Sequence, residues 1–223
     1  MTDLHTGLVA AVIPARPEEP FLAEALNSVL HQPEVADIVV ATHVDDSPTA
    51  RLAASHHDPR IRLVRSDGPS AGENLNAGIA ATDSVWLAFL DADDCWPAGR
   101  IAASLRAANS VAGTQLVLGQ QRAMNVDGVL MTDVQWSLLG AALVTRDAAN
   151  RIGPFDTGMI SQMRWVLRAR DLGVPTVELA EVLLHRREHS ANLSRLRRTD
   201  LHQAYLALAR ERAAQHRNTR RIT

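Results

Sequence analysis

The chain has 223 residues, 46% of them hydrophobic, and a formal net charge of −2. That is one ordinary globular unit with room for a full sheet and its flanking helices, and a charge too near zero for a general nucleic-acid binder. All 23 basic residues are arginine, which excludes chemistry that needs a lysine of this chain, such as a Schiff base or a P-loop lysine. Cys95 is the sole cysteine, so no intramolecular disulfide forms. No charged-then-apolar leader opens the chain and no apolar run reaches the roughly 18 to 20 residues of a membrane span. The expectation is a soluble, cytoplasmic protein with no transmembrane segment.

In chain order, residues 7–13 form an apolar, β-branched run ended by Pro14, and a helix follows from Pro20 with Leu22, Leu26, Val29 and Leu30 at helical spacing. Residues 36–41 read as a second strand, a short helix starts at Thr49, and residues 61–65 are a third strand. A Ser/Gly/Pro loop over 66–72 leads into a helix over 73–81, and residues 85–90 are a fourth strand. Strands alternating with helices predict parallel βαβ units covered on both faces.

The second half extends this layer with a strand over 115–119, a turn at Asp127-Gly128 and a small-residue apolar run over 138–144. A helix over 161–172 closes at Gly173, two short strands lie within 174–184, and a polar loop covers 185–194. Thr199 caps a last helix reaching about residue 215. Ten arginines follow His185, against the acids Glu188, Asp200 and Glu211. This basic end reads as a solvated helix and tail, with attraction to an anionic acceptor or membrane surface as the alternative.

The fourth strand stops on Leu90-Asp91-Ala92-Asp93-Asp94. In an open α/β sheet, ligands sit at the carboxyl ends of the strands. Carboxylates packed so closely hold their protons unless a cation sits among them, and a hard divalent ion is their natural partner. The alternative is that the acids mark the start of the helix announced by Pro97.

From Val9 to about Arg195 the chain resembles the family 2 glycosyltransferases of GT-A fold. The resemblance is carried by Val12-Ile13-Pro14-Ala15-Arg16 with Glu18, and by Ser28-Val29-Leu30-His31-Gln32. It continues through Asp58-Pro59-Arg60-Ile61-Arg62-Leu63, Asn74-Leu75-Asn76-Ala77-Gly78-Ile79, the DxD-like acids, Gly153-Pro154-Phe155-Asp156 and Arg187-Glu188-His189 ahead of Asn192-Leu193-Ser194. It implies an α/β nucleotide-diphospho-sugar transferase fold with a mostly parallel sheet. Residues 1–195 would be the transferase domain and 196–223 a basic helix and tail of the same unit.

The activity so implied is inverting, metal-assisted transfer of a sugar from a nucleotide donor, a UDP-sugar first, to an unspecified acceptor, with Mn2+ or Mg2+ as cofactor. Asp93 would be the main metal ligand, with Asp91 reaching ribose or metal and His189 completing the shell. Pro14, Ala15, Arg16, Glu18, Asn74 and Asn76 would serve the nucleotide. Family acids directly follow the second strand, whereas here Asp45 and Asp46 come later; either one would take that role across a longer loop, or base recognition differs.

One departure bears on mechanism. Family members carry acids near residues 161–164, one of them the general base, and this chain has Ser161-Gln162-Met163-Arg164. General-base catalysis is worth ~10²- to 10⁴-fold, so another acid must serve, with Asp156 nearest and Asp133 more distant, or the acceptor is already a good nucleophile needing little deprotonation, or the protein binds nucleotide or a partner without turnover. A rival class is set by His185-Arg186-Arg187-Glu188-His189, which fits the H-x-x-E-H pattern of inverted zinc peptidases if it lies on a helix.

Overall fold

The computed structural model describes residues 9–44, 47–190, 192 and 197–219, the last five by backbone alone. Val9–Pro14 (β1) is buried at every position, as befits an all-apolar strand in a sheet covered on both faces. Leu22–Leu30 (α1), Val35–Thr42 (β2), Pro48–Ser55 (α2), Ile61–Arg65 (β3), Ala71–Ala80 (α3) and Trp86–Phe89 (β4) follow in alternation. β1 pairs in parallel with β2 and β4, and β2 with β3. The sheet therefore begins in the order β3-β2-β1-β4, with the carboxyl ends of its strands on one side. Val12 lies opposite Phe89, so Pro14 and the acids after β4 emerge side by side.

The second half turns the sheet mixed. Leu116–Met124 (β5), Leu130–Trp136 (β6), Leu143–Thr145 (β7) and Thr176–Arg187 (β8) join helices Arg146–Ile152 (α5) and Ser161–Asp171 (α6). β7 runs antiparallel to β4 and β5, β6 is an antiparallel edge on β5, and β8 lies parallel to β5 on its other side. β5 outlasts the predicted 115–119 because Gln120, Gln121 and Arg122, polar in sequence, are paired on both sides. β6 was not predicted, since every one of its residues is exposed and no buried face patterns it.

β8 is one strand rather than two. It runs through His185 to Arg187, because those residues pair with Arg122 to Met124 and His185 exchanges backbone hydrogen bonds of 2.8 and 3.0 Å with Cys95. The apolar run over 138–144 is strand only at its end. The carbonyls of Gly140 and Ala142 in its irregular part are taken by the buried guanidinium of Arg100, at 3.0 and 2.9 Å.

Alternate residues of β1 feed two cores. Val9, Ala11 and Ile13 pack with α1 and Arg100–Ser110 (α4), whereas Ala10 and Val12 pack with α3, α5 and α6. α3 approaches β1 closely at Gly78, where an added Cβ would collide with the Val12 side chain. The last helix, Arg198–Thr219 (α7), starts one residue before Thr199 and is tied to α6 by Arg164–Glu211 and Asp171–Arg212 pairs of 2.7 Å. Among the described residues no helix is long and apolar enough to cross a membrane.

Candidate active site

The acids do not begin a helix. α4 starts at Arg100 behind Gly99, whose φ of 72° is left-handed, and neither Asp91, Asp93 nor Asp94 caps it. They form instead a tight turn at the end of β4, closed by Asp94 N–H donating to the Asp91 carbonyl at 3.0 Å. Helix α1 braces this turn: Ser28 Oγ accepts from Trp96 N–H at 3.0 Å and buried Gln32 donates to the Pro97 carbonyl at 3.0 Å. The 28–32 segment thus holds the acid loop in place.

β8 locks the turn from the other side. The backbone N–H of Arg187 donates to Asp94 Oδ1 at 2.7 Å, and its guanidinium reaches the Asp93 carbonyl at 3.0 Å, the Val126 carbonyl at 2.9 Å and the Glu24 carboxylate. The same guanidinium lies 4.4 Å from the centre of the Phe21 ring. Two residues on, His189 Nε2 lies 3.0 Å from Asp93 Oδ2, with its ring 5.1 Å from that of Phe21. The Asn192 side chain accepts from His189 N–H at 2.5 Å and donates to the Arg187 carbonyl at 3.1 Å.

His185, Arg186 and Arg187 are strand, so the H-x-x-E-H segment is no helix and its two histidines share no helical face. His189 goes to Asp93 and His185 to the Cys95 bridge. The zinc-peptidase reading is thereby corrected.

Burial, and next the charge of Asp93, push Asp91 up to about 6, against the opposing donation from Gln162. Asp94 is raised well above the usual carboxylate range, first by burial and then by the charges of Asp93 and Asp91. Gln162 Nε2 donates to Asp91 Oδ1 at 3.2 Å, so one residue of the 161–164 stretch, where the resemblance implies acids, touches the acid cluster. What brings it there is an aromatic set: Trp165 stacks on Phe155 at 5.0 Å, and Phe89, the last residue of β4, meets both edge-on. The first turn of α6 holds no acid.

The other expected site residues fall in several places. The backbone of Ala15 is spent internally, its N–H on the Ala41 carbonyl at 2.9 Å and its carbonyl on Asn74 at 3.4 Å. Buried Asn74 also accepts from Ser66. Asn76 exchanges two hydrogen bonds of 2.9 Å with the Phe155 backbone. Neither amide reaches the acid turn; both bind loops to α3. Glu18 is exposed, whereas its neighbour Glu19 is buried, pairs with Arg16 at 2.8 Å and adds its field at Asp91. The Arg16-x-x-Glu19 spacing was the available signal. Asp156 accepts from Gly158 N–H at 2.9 Å, closing its own turn, and Asp133 lies on the exposed edge β6. Asp45 and Asp46 lie outside the described residues.

Among the described residues no three His, Cys, Asp or Glu side chains form a ready cation cage. Two open hollows of about 410 and 320 Å³ lie elsewhere, the first beside Asp83, Thr114 and Arg146, the second beside Arg65 and Glu73. The chemistry gathers instead on the open crevice above β1 and β4.

An α/β sheet with acids at the carboxyl end of its fourth strand, met by a histidine two residues past the last strand, is an architecture of GT-A fold, as the solved structures below bear out. Residues 10–172 match Glycosyl transferase family 2, and the chain belongs to that family. The succinoglycan biosynthesis protein ExoO of Rhizobium meliloti is 32% identical over 124 residues, 54% of this chain and 35% of that protein. The S. aureus TarS 1-349 structure in complex with UDP-GlcNAc superimposes with a TM-score of 0.62 at 14% identity, covering 82% of this chain and 59% of that one. The Pyrobaculum calidifontis mannosyltransferase PcManGT, in complex with GDP-Man and Mn2+, gives 0.59 at 17%, covering 83% and 57%. The chain thus spans about a third of the curated relative and under two thirds of the solved ones.

Proposed function

We propose that this chain is an inverting, metal-assisted glycosyltransferase taking its sugar from a nucleoside-diphosphate donor, a UDP-sugar first. The observation that carries the reading is the Asp93–His189 pair, 3.0 Å apart beside Asp91 at the mouth of the crevice. The relatives' ligands, UDP-GlcNAc and UDP in one case and GDP-Man with Mn2+ in another, support it. The half-buried free thiol of Cys95 agrees with a cytoplasmic setting.

Asp93, Asp91 and His189 fit Mn2+ or Mg2+: carboxylate oxygens and an imidazole are suitable donors, and such ions draw their remaining ligands from substrate phosphates and water rather than a full protein cage. The chemistry supplied there is Lewis-acid neutralisation of the leaving diphosphate. His189 orients Asp93, Arg187 fixes the carbonyl behind it, and Gln162 holds Asp91. In the transfer an acceptor oxygen bonds to the anomeric carbon as the bond to the diphosphate breaks. The bonding pair leaves with the phosphate oxygen, and the acceptor proton passes to a base or to water.

The absence of an acid in the first turn of α6, where the resemblance implies one near residues 161–164, favours a second reading, a family member that binds nucleotide or a partner without turnover. Calorimetry with nucleoside diphosphates, with and without Mn2+ or Mg2+, followed by donor hydrolysis, tests both. Metal-enhanced binding lost in Asp93→Ala supports the site. Equal affinity with and without metal in both proteins would sink it, and metal-enhanced binding with no turnover of any donor selects the second reading.

A further inference from the structure

Trp136, at the end of β6, is 51% exposed, whereas Trp96 and Trp165 are buried and Trp86 is half-buried. The sheet register fixes where it stands. Ala88, Leu143 and Val117 are level with one another across β4, β7 and β5. Phe89 and Leu118, one residue further, pack in the core beneath α6. Asp91 and Gln120 are the next residues on that same face, since side chains alternate along a strand, and Gln162 of α6 meets Asp91 there. Trp136 pairs with Gln120 along the edge of β5 that β7 occupies lower down, the edge turned toward β4. Its ring is therefore level with Asp91 and on the same face of the sheet.

We propose that Trp136 is a stacking platform for a saccharide acceptor, an inference that rests on the transferase reading above. Inversion at an anomeric carbon brings the incoming oxygen in opposite the leaving group. Asp93 and His189, on the diphosphate side, gather at Phe21, which caps α1. The face of α6, where Gln162 and Trp136 stand, is then the incoming side. An indole left in water forgoes burial, and its electron-rich face attracts the C–H bonds that line one face of a pyranose ring. Groups for the hydroxyls stand in the same row. Gln120 lies opposite the ring, and two residues on is Arg122, whose Nε has no hydrogen-bond acceptor among the described residues. A ring flanked by an amide and a guanidinium suits a sugar, apolar on its faces and polar at its rim, whereas a purely apolar ligand would leave both polar groups unpaired.

The test titrates cellobiose, maltose, lactose and chitobiose, each up to about 50 mM, into the full chain held in saturating UDP and Mn2+, with binding read by saturation-transfer NMR. Wild type is compared with Trp136→Ala, Trp136→Phe and Gln120→Ala, and thermal melts confirm folding. At least one disaccharide should bind the wild type. Trp136→Ala should weaken it by about tenfold, Trp136→Phe, which keeps a smaller platform, by about threefold, and UDP itself by less than about twofold in either variant. Gln120→Ala should weaken the same disaccharide by about threefold or more and decides the matter should Trp136→Ala fail to fold. A wild type that binds UDP but none of the disaccharides overturns the proposal, as does a disaccharide whose affinity these variants leave unchanged or lower only in step with UDP. Sedimentation showing a dimeric wild type and a monomeric Trp136→Ala would assign the ring to a contact between copies and overturn it too. A wild-type chain that binds neither UDP nor GDP, ADP, CDP or dTDP overturns the transferase reading itself.

Discussion

Gln162 donates its side-chain amide to Asp91 at 3.2 Å, from a helix turn that holds no acid. An amide cannot take a proton from an acceptor, but it can hold a carboxylate. Replacing it with a carboxylate sets a base beside the crevice and puts a second negative charge against Asp91. Gln162→Glu is therefore expected to raise hydrolysis of the donor by at least about tenfold, the lower part of what a general base supplies. Product release followed by chromatography checks this. Strong wild-type turnover that Gln162→Glu leaves unchanged would place the base elsewhere.

The raised Asp91 and Asp94 give a pH dependence of definite sign. Both hold their protons more tightly folded than unfolded, so their contribution to stability is full below the unfolded value near 4 and is lost as pH rises; for Asp91 the loss comes as pH passes about 6. The melting temperature of the metal-free chain should fall between pH 5 and pH 7 from this cause. Mn2+ competes with those protons, so its stabilisation should be larger at pH 7.5 than at pH 5. Melts with and without Mn2+ at the two pH values read it directly.

Arg187 ties Asp93, Val126 and Glu24 together from a fully buried position. Arg187→Met leaves those groups without their donor and should cost about 3 to 5 kcal/mol in urea unfolding. Arg187→Lys should recover little, because one ammonium cannot span the three acceptors. Both variants should also lose the metal enhancement of UDP binding, since Asp93 is no longer fixed.

Gly78 is where α3 meets Val12 of β1. Gly78→Ala should destabilise by about 1 to 3 kcal/mol through overpacking. Adding Val12→Ala should cost less in the Gly78→Ala background than in wild type, a coupling that a double-mutant cycle measures.

Much of this architecture was legible in the chain itself. β1, β4 and the second half of β2 are continuous apolar runs, and the alternation of the first four strands with helices leaves parallel pairing as the economical arrangement. The acids after Phe89 then had to emerge at the ligand end of the sheet, and the family resemblance put His189 with them. Other features carry no local signal. β6 has no buried face, and β8 continues through polar residues because its backbone partners are Cys95 and β5, both far away in sequence.

The tertiary structure decided which polar groups are spent and which face the crevice. It buried Glu19 against Arg16 and left Glu18 exposed, assigned Asn74 and Asn76 to loop carbonyls and amides, and gave Ser28 and Gln32 the task of holding the acid turn. It also carried Gln162 to Asp91 through the packing of Phe89, Phe155 and Trp165. Hydrophobic periodicity is written locally, so it survives in the sequence. The partner of a buried polar group is set by desolvation in the packed whole, where every such group must find a donor or acceptor, however distant along the chain.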